Sequence, residues 1–158
     1  MELLPQLIIL GRTALAMVLG GLIGIEREVA HKPAGFRTHM IVAGASALLM
    51  GMPELLVTYY RQAGVVAVVS TDPLRIMQGL IMGVCVLAGG AILRDKSSHT
   101  VKGLTTVVSM LLSGAIGIAT GAGQFVLAGG TTLLGLLVLL AFNALERNFL
   151  TNRNTTTR

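Results

Sequence analysis

The sequence predicts an all-α membrane protein, a bundle of five transmembrane helices. Hydrophobic residues make up 53% of its 158 residues and charged residues only 12%, about half the charge of a typical soluble domain. This apolar content excludes a disordered chain, and a single cysteine excludes a disulfide scaffold. We expect one membrane domain over residues 1–150 and a disordered polar tail over residues 151–158.

The five predicted spans are the charge-poor stretches long enough to cross a hydrocarbon layer of about 30 Å, which takes roughly 20 residues as a helix. They are Leu3 to Ile25, a second from Thr38 to Met52 or beyond, a third that follows Asp72 and Pro73 and ends at Leu93, Gly103 to Gly121, and Phe125 to Leu145. The short break from Ala122 to Gln124 predicts a tight antiparallel hairpin between the last two.

Two of these spans carry a proline that bears on their limits. From Thr38 to Met52 a helix would reach only about 23 Å. Either Pro53 lies within a longer helix ending near Tyr60, or the helix ends at the proline. In the third span, Asp72 followed by proline predicts a helix start with an aspartate cap.

The distribution of Lys and Arg predicts the orientation of the bundle, because cytoplasmic loops are enriched in these residues. Nine of the twelve fall on one side: Arg27, Lys32, Arg37, Arg94, Lys96, Lys102, Arg147, Arg153 and Arg158. We therefore expect the N-terminus outside and the C-terminus in the cytoplasm. Because the basic residues follow this topology rule, they do not indicate nucleic-acid binding.

Small residues spaced four apart predict close approach of helices, which is how helices associate in lipid. The stripes are Gly20 and Gly24; Ala43, Ala47 and Gly51; Gly79 and Gly83; and Ser113, Gly117 and Gly121. They pack the helices within one protomer, or one of them forms a seam between two copies. Some self-association is expected in either case, with a dimer favoured.

Arg12 lies within the first span, where a charge requires a partner or access to water. Topology places Asp72 nearest among the acidic residues, with Arg75 one turn further along. Two interpretations remain open: an Arg12–Asp72 ion pair, or an Arg12 side chain that extends to the membrane interface without a partner.

The loop after the first span is the other polar feature. It contains Glu26 and Arg27, and it ends in the run Gly35-Phe36-Arg37-Thr38-His39. It contacts lipid headgroups, or it presents hydrogen-bond donors to an anion or a partner protein, with Gly35 allowing an unusual backbone angle. The sequence shows no ligand spacing for a metal, no phosphate-binding glycine loop and no catalytic constellation. We expect no cofactor and no enzymatic activity.

A series of motifs extends along most of the chain: Arg12; Gly20 to Glu28; Ala34 to His39; Asp72 to Arg75 with Gln78; Val101 to Thr106; and Ala115 to Gly117. In this order they resemble the N-terminal membrane domain of the MgtC/SapB family. The resemblance implies a bacterial inner-membrane protein associated with growth in low magnesium, acid tolerance and survival in macrophages. The best-known member of that family is described as restraining the membrane ATP synthase. The site residues it carries over are Arg12, Glu26, Arg27, Gly35, Arg37, Thr38, His39, Asp72, Arg75, Gly103, Thr105 and Thr106.

Two functions follow as expectations. The first is a non-enzymatic regulatory protein that contacts another membrane complex through its cytoplasmic loops during magnesium, acid or envelope stress and in virulence. The alternative is a small homo-oligomeric transporter or channel for magnesium or another cation, with the intramembrane charges along its path.

Overall fold

Five helices make up most of the described chain. The computed structural model describes residues 3–62, 72–90, 93–94 and 101–153. The helices are α1 (Leu3–Val29), α2 (Phe36–Gln62), α3 (Pro73–Gly89), α4 (Leu104–Gly121) and α5 (Phe125–Arg153). A small antiparallel hairpin of β1 (Leu93–Arg94) and β2 (Val101–Lys102) lies between α3 and α4. Strands of two residues are too short to give an alternating pattern, so the sequence did not predict them.

The helical prediction is confirmed, and α1, α2 and α4 are each long and apolar enough to cross a membrane. The apolar segments of the other two helices, Pro73–Gly89 and Phe125–Ala141, are shorter. The predicted third span was too long, because α3 ends at Gly89 and Leu93 belongs to β1. Two consecutive glycines, poor helix formers, account for this earlier end.

The ambiguous second span is resolved in favour of one long helix. Pro53 lies inside α2, which continues to Gln62. Proline removes one backbone donor, but it does not end this helix. The extension beyond Pro53 adds Glu54 to the helix, which matters for the site described below. The predicted start of α3 is also confirmed, because Asp72 Oδ1 accepts a hydrogen bond of 3.0 Å from the backbone N of Leu74.

The first and second helices pack antiparallel through their small residues. A Cβ atom added to Gly20 would lie 2.5 Å from Ala43 Cβ and 2.7 Å from the His39 carbonyl oxygen. Further along the same pair, Gly51 of α2 faces Ile9 of α1. Such contact leaves no space for a side chain at Gly20, so the predicted internal packing is confirmed here.

The fourth helix packs parallel to α2 on the same alanines. A Cβ atom on Gly117 would overlap the carbonyl oxygen of Ala43, and one on Gly121 would lie 2.5 Å from the carbonyl oxygen of Ala47. Ala43 is fully buried and is in contact with glycines of both α1 and α4. The backbones of three helices therefore meet around this residue.

The stripe on the third helix behaves differently. No described residue lies within 4 Å of a Cβ atom added to Gly79 or Gly83, and the neighbouring Met82 and Val86 are 72% and 77% exposed. Packing of this stripe against the described helices was therefore the wrong interpretation. The helix contacts the bundle through its other face, where Val84 and Ala88 are buried.

The last two helices form the predicted hairpin. Residues 122–124 connect them, and Gly123 adopts a left-handed φ of 78°, a conformation that glycine allows at little cost. The hairpin packs on α1 through a buried cluster of Ile23, Ile116 and Ala128. α5 remains helical to Arg153, three residues into the segment predicted as a tail, and residues 154–158 lie outside the described part of the chain.

Candidate functional site

Charged and polar side chains gather at two opposite ends of the α1, α2 and α4 core. We call them the Arg12 end, with Arg12, Glu54 and Gly121, and the Arg27 end, with Glu26, Arg27, His39 and Ser109. Along α1 the two ends are about 21 Å apart, since a helix rises about 1.5 Å per residue. The contact of α1 and α4 with Ala43 lies between them.

Arg12 connects three helices. Its Nη1 atom lies 2.9 Å from Glu54 Oε2 on α2 and donates a 3.1 Å hydrogen bond to the carbonyl oxygen of Gly121. Gly121 is the last residue of α4, where carbonyl groups lack helical partners and a cation is favourable. The Arg12 side chain is 21% exposed and that of Glu54 is 65% exposed. This end of the core is therefore held by an ion pair in which Arg12 is mostly buried and Glu54 reaches solvent or headgroups.

The predicted Arg12–Asp72 ion pair is wrong, and so is the alternative of an Arg12 without a partner. Asp72 is exposed and caps α3 through the backbone N of Leu74. Arg75 is exposed too, and its backbone N donates to the Asp72 carbonyl oxygen at 3.1 Å. The acid that Arg12 meets is Glu54, because α2 continues past its proline.

An Arg12→Ala variant is expected to lose about 1.5–3 kcal/mol in free energy of unfolding, because two hydrogen bonds from a charged donor disappear together. Reversible unfolding in mixed micelles measures this loss. Glu54→Gln should cost less than about 1 kcal/mol, since that carboxylate is mostly exposed. In double-mutant cycles we expect coupling of Arg12 with Glu54 and none with Asp72. The reverse pattern would reject this assignment.

At the opposite end, Glu26 and Arg27 form a buried ion pair. Arg27 Nε donates to Glu26 Oε2, and the side chains are only 2% and 5% exposed for Arg27 and Glu26. Arg27 lies in the last turn of α1, where a positive charge is favoured by the helix dipole. Two charges this deeply buried require each other, because either one alone would pay a large desolvation cost.

The loop after α1 is held by a hydrogen bond to Glu28, and the unusual backbone angle that we expected at Gly35 is not observed. Glu28 Oε2 accepts a 2.9 Å hydrogen bond from the backbone N of Phe36, the first residue of α2. The left-handed residue of the loop is His31, with φ of 53°, and Gly35 is not left-handed. Gly35 lies close to the Glu28 side chain, since an added Cβ would lie 2.9 Å from Glu28 Oε2, and the carboxylate would have to shift to admit it.

His39 joins this loop to α4. Its Nδ1 atom lies 2.8 Å from the Gly35 carbonyl oxygen and its Nε2 atom 3.0 Å from Ser109 Oγ. Ser109 Oγ in turn lies 2.9 Å from the Thr106 carbonyl oxygen. The ring is fully buried. Of its neighbours in sequence, Thr38 is half-buried and Arg37 is exposed.

The second loop motif begins α4. Gly103 precedes the helix with a left-handed φ of 99°, which favours glycine. Thr105 is exposed, whereas Thr106 is buried and its Oγ1 atom has no hydrogen-bond partner among the described residues. Ser113 Oγ, two turns further along the same buried face, is also without one in this part of the chain.

The structure thus brings Glu26, Arg27, Gly35, His39 and Thr106 to one end of the core and leaves Asp72 and Arg75 exposed. Sequence reasoning missed the roles of Glu54, Glu28 and Ser109. Their partners are 42, 8 and 70 residues away, so no local spacing reports them. Within residues 3–62, 72–90, 93–94 and 101–153, no group of three His, Cys, Asp or Glu side chains is placed to hold a metal.

Comparison with known proteins gives this arrangement a family. The model of the MgtC family matches residues 13–148, which is most of the chain and includes the Arg27 end, Glu54 and Gly121, and begins one residue after Arg12. The chain belongs to the MgtC family. The sequence resemblance to MgtC/SapB proteins is therefore confirmed.

Relatives of this MgtC-family chain come from several bacteria. It is 39% identical to an uncharacterised protein of Haemophilus influenzae, with 75% of the chain and 48% of that protein aligned. It is 35% identical to an Escherichia coli K12 protein named "Putative magnesium transporter YhiD", with 85% and 60% aligned. It is 34% identical to Bacillus subtilis protein SapB, with 85% and 56% aligned. The chain spans about half to three-fifths of the length of these relatives. No solved structure gives a significant match.

Proposed function

We propose that this MgtC-family chain is a non-enzymatic regulatory protein of the bacterial inner membrane. It acts through contacts with another membrane complex when magnesium is low or when acid or the envelope stresses the cell, including adaptation during virulence. In this proposal all five helices cross the bilayer, the N-terminus lies outside and the C-terminus lies in the cytoplasm. The excess of Lys and Arg on one side supports that orientation.

The observation that carries this proposal is the closed contact between the two charged ends. Gly20 of α1 and Gly117 of α4 both press against Ala43 of α2, with no space for even one added carbon. A hydrated path that runs between α1, α2 and α4 from Arg12 to Arg27 would have to pass this contact. Close backbone packing is typical of a structural core, which supports a protein that signals by contact rather than by conduction.

The partner-facing surface of the proposal lies at the Arg27 end. Arg37 and Thr105 are exposed there, beside the buried residues that hold the two loops in place. Exposed polar side chains on a rigidly held loop suit recognition of another protein. Self-association, with a dimer favoured, belongs to the same proposal, and Gly79 and Gly83 of α3, which no described residue covers, supply a face for it.

Site-specific photo-crosslinking in native bacterial membranes tests the partner. A crosslinking amino acid replaces Arg37 or Thr105 in separate variants, and a matched control replaces Val126, which is 92% exposed at the other end of the bundle. We expect a discrete protein adduct of defined mass from positions 37 and 105 and none from position 126. Lipid adducts alone at all three positions would contradict the proposal.

The alternative is a small homo-oligomeric cation transporter or channel. Two observations favour it: the name of the Escherichia coli relative, and the buried hydroxyls of Thr106 and Ser113 without partners in the described part of the chain. Oxygen atoms of this kind are ligands for hard cations. This function predicts cation flux through the purified protein alone.

A further inference from the structure

The hydrogen bonds around His39 require a definite number of protons. The Gly35 carbonyl oxygen only accepts, so Nδ1 carries a proton for the 2.8 Å contact. Ser109 Oγ has a single proton and two neighbours, His39 Nε2 at 3.0 Å and the Thr106 carbonyl oxygen at 2.9 Å. Three contacts therefore compete for the available protons.

Counting those protons separates two states of the ring. A neutral ring protonated on Nδ1, together with Ser109, supplies two protons for three contacts. The Ser109 hydroxyl then donates its proton to His39 Nε2. The Thr106 carbonyl oxygen no longer accepts a hydrogen bond from Ser109. A protonated ring supplies the third proton: Nε2 donates to Ser109 Oγ, and Ser109 donates to Thr106.

We propose that His39 is a proton-dependent switch that strengthens the contact between α2 and α4 when its ring is protonated. The chain Gly35, His39, Ser109, Thr106 then has a donor for every acceptor, and the bond from His39 to Ser109 becomes charge-assisted. Such bonds are about twice as strong as neutral ones. In the neutral state the same atoms are joined by a weaker bond of reversed direction.

Burial of the His39 ring disfavours a charge on it. The charged groups near the ring are Glu26 and Arg27 of α1, one of each sign. Among the described residues of α4, those in contact with it offer a hydroxyl and no charge, and Arg37 on its own helix is exposed. The switch sits between the two loops of the Arg27 end, and it does not depend on whether the protein regulates a partner or carries a cation.

Nitrogen NMR tests the protonation states directly. In a His31→Gln/His99→Gln variant, His39 is the one remaining histidine, and its ¹⁵N-labelled ring is followed in lipid bilayers from pH 8 to pH 5. We expect a proton on Nδ1 and a bare Nε2 at high pH, and protons on both at low pH in folded protein. A proton on Nε2 at high pH, or a ring that stays neutral while the protein is folded, would overturn the switch.

Hydrogen exchange tests the consequence for α4. In the same background in nanodiscs, Ser109→Ala should increase opening of the first two turns of α4, relative to its parent, by about threefold to tenfold more at pH 5 than at pH 8. Ser113→Ala is the matched control, because that buried hydroxyl has no partner in the described chain, and its effect should not change with pH. An equal effect of Ser109→Ala at both pH values, or the same pH dependence in the control, would contradict the proposal.

Discussion

A Glu26→Gln variant is expected to lose about 3–5 kcal/mol in free energy of unfolding, the largest effect of any single substitution considered for this chain. The substitution keeps the size of the side chain but removes its charge. Arg27, only 2% exposed, would then be a buried cation without its carboxylate. Reversible unfolding in mixed micelles, followed by circular dichroism, measures the loss.

Two further variants distinguish the effect of the ion pair on stability from the effect of side-chain packing. Glu26→Gln/Arg27→Met removes both charges of the pair and should recover most of the loss, because position 27 no longer holds a buried cation without its carboxylate. Glu28→Gln is the matched control: this carboxylate is exposed at the same end, and its amide replacement still accepts from Phe36 N. If Glu26→Gln costs no more than Glu28→Gln, the buried pair does not hold Arg27.

Gly117→Ala is expected to destabilise the protein by about 1–3 kcal/mol, the range for overpacking a tight interior. The added methyl group would overlap the carbonyl oxygen of Ala43 and lie 2.8 Å from Ser46 Cβ. The first of these is a backbone atom, so it cannot move away as a flexible side chain would. Relief of the clash requires α2 and α4 to separate, and thermal unfolding in detergent reports the loss.

The matched control for this substitution has the opposite expected sign. Gly83→Ala makes the same chemical change in α3, where no residue in the described part of the chain lies within 4 Å of the added atom. Alanine is the better helix former, so this variant should be neutral or more stable by up to about 1 kcal/mol. Equal losses at positions 83 and 117 would show that the α2–α4 contact is not the cause.

Much of the fold could be predicted because the bilayer imposes simple lengths. Charge-poor stretches located all five helices, the aspartate before Pro73 located the start of α3, and residues 122–124 located the hairpin. Small residues four apart located the contacts of α1, α2 and α4. These features depend on residues that are close in sequence. The Gly79 and Gly83 stripe of α3 shows that the spacing of small residues alone does not predict which helix they contact.

The charged partners could not be predicted, because they depend on the register between helices. Arg12 meets Glu54 only because α2 runs past its proline and lies antiparallel to α1. Asp72, chosen from topology alone, belongs to a helix that packs elsewhere. The bond from His39 to Ser109 joins residues 70 positions apart, and it becomes visible only when α2 and α4 are known to run parallel. Side-chain chemistry was readable from the sequence, but the pairing was not.

Magnesium flux through the purified protein in liposomes tests the central claim most directly. Vesicles containing a magnesium-sensitive dye are prepared with the wild-type protein, with Arg12→Ala and without protein, and an ionophore serves as the positive control. A closed core that acts by contact predicts the same flux in all three preparations. Reproducible flux through the wild-type protein that is lost in folded Arg12→Ala would contradict this account and establish a transporter.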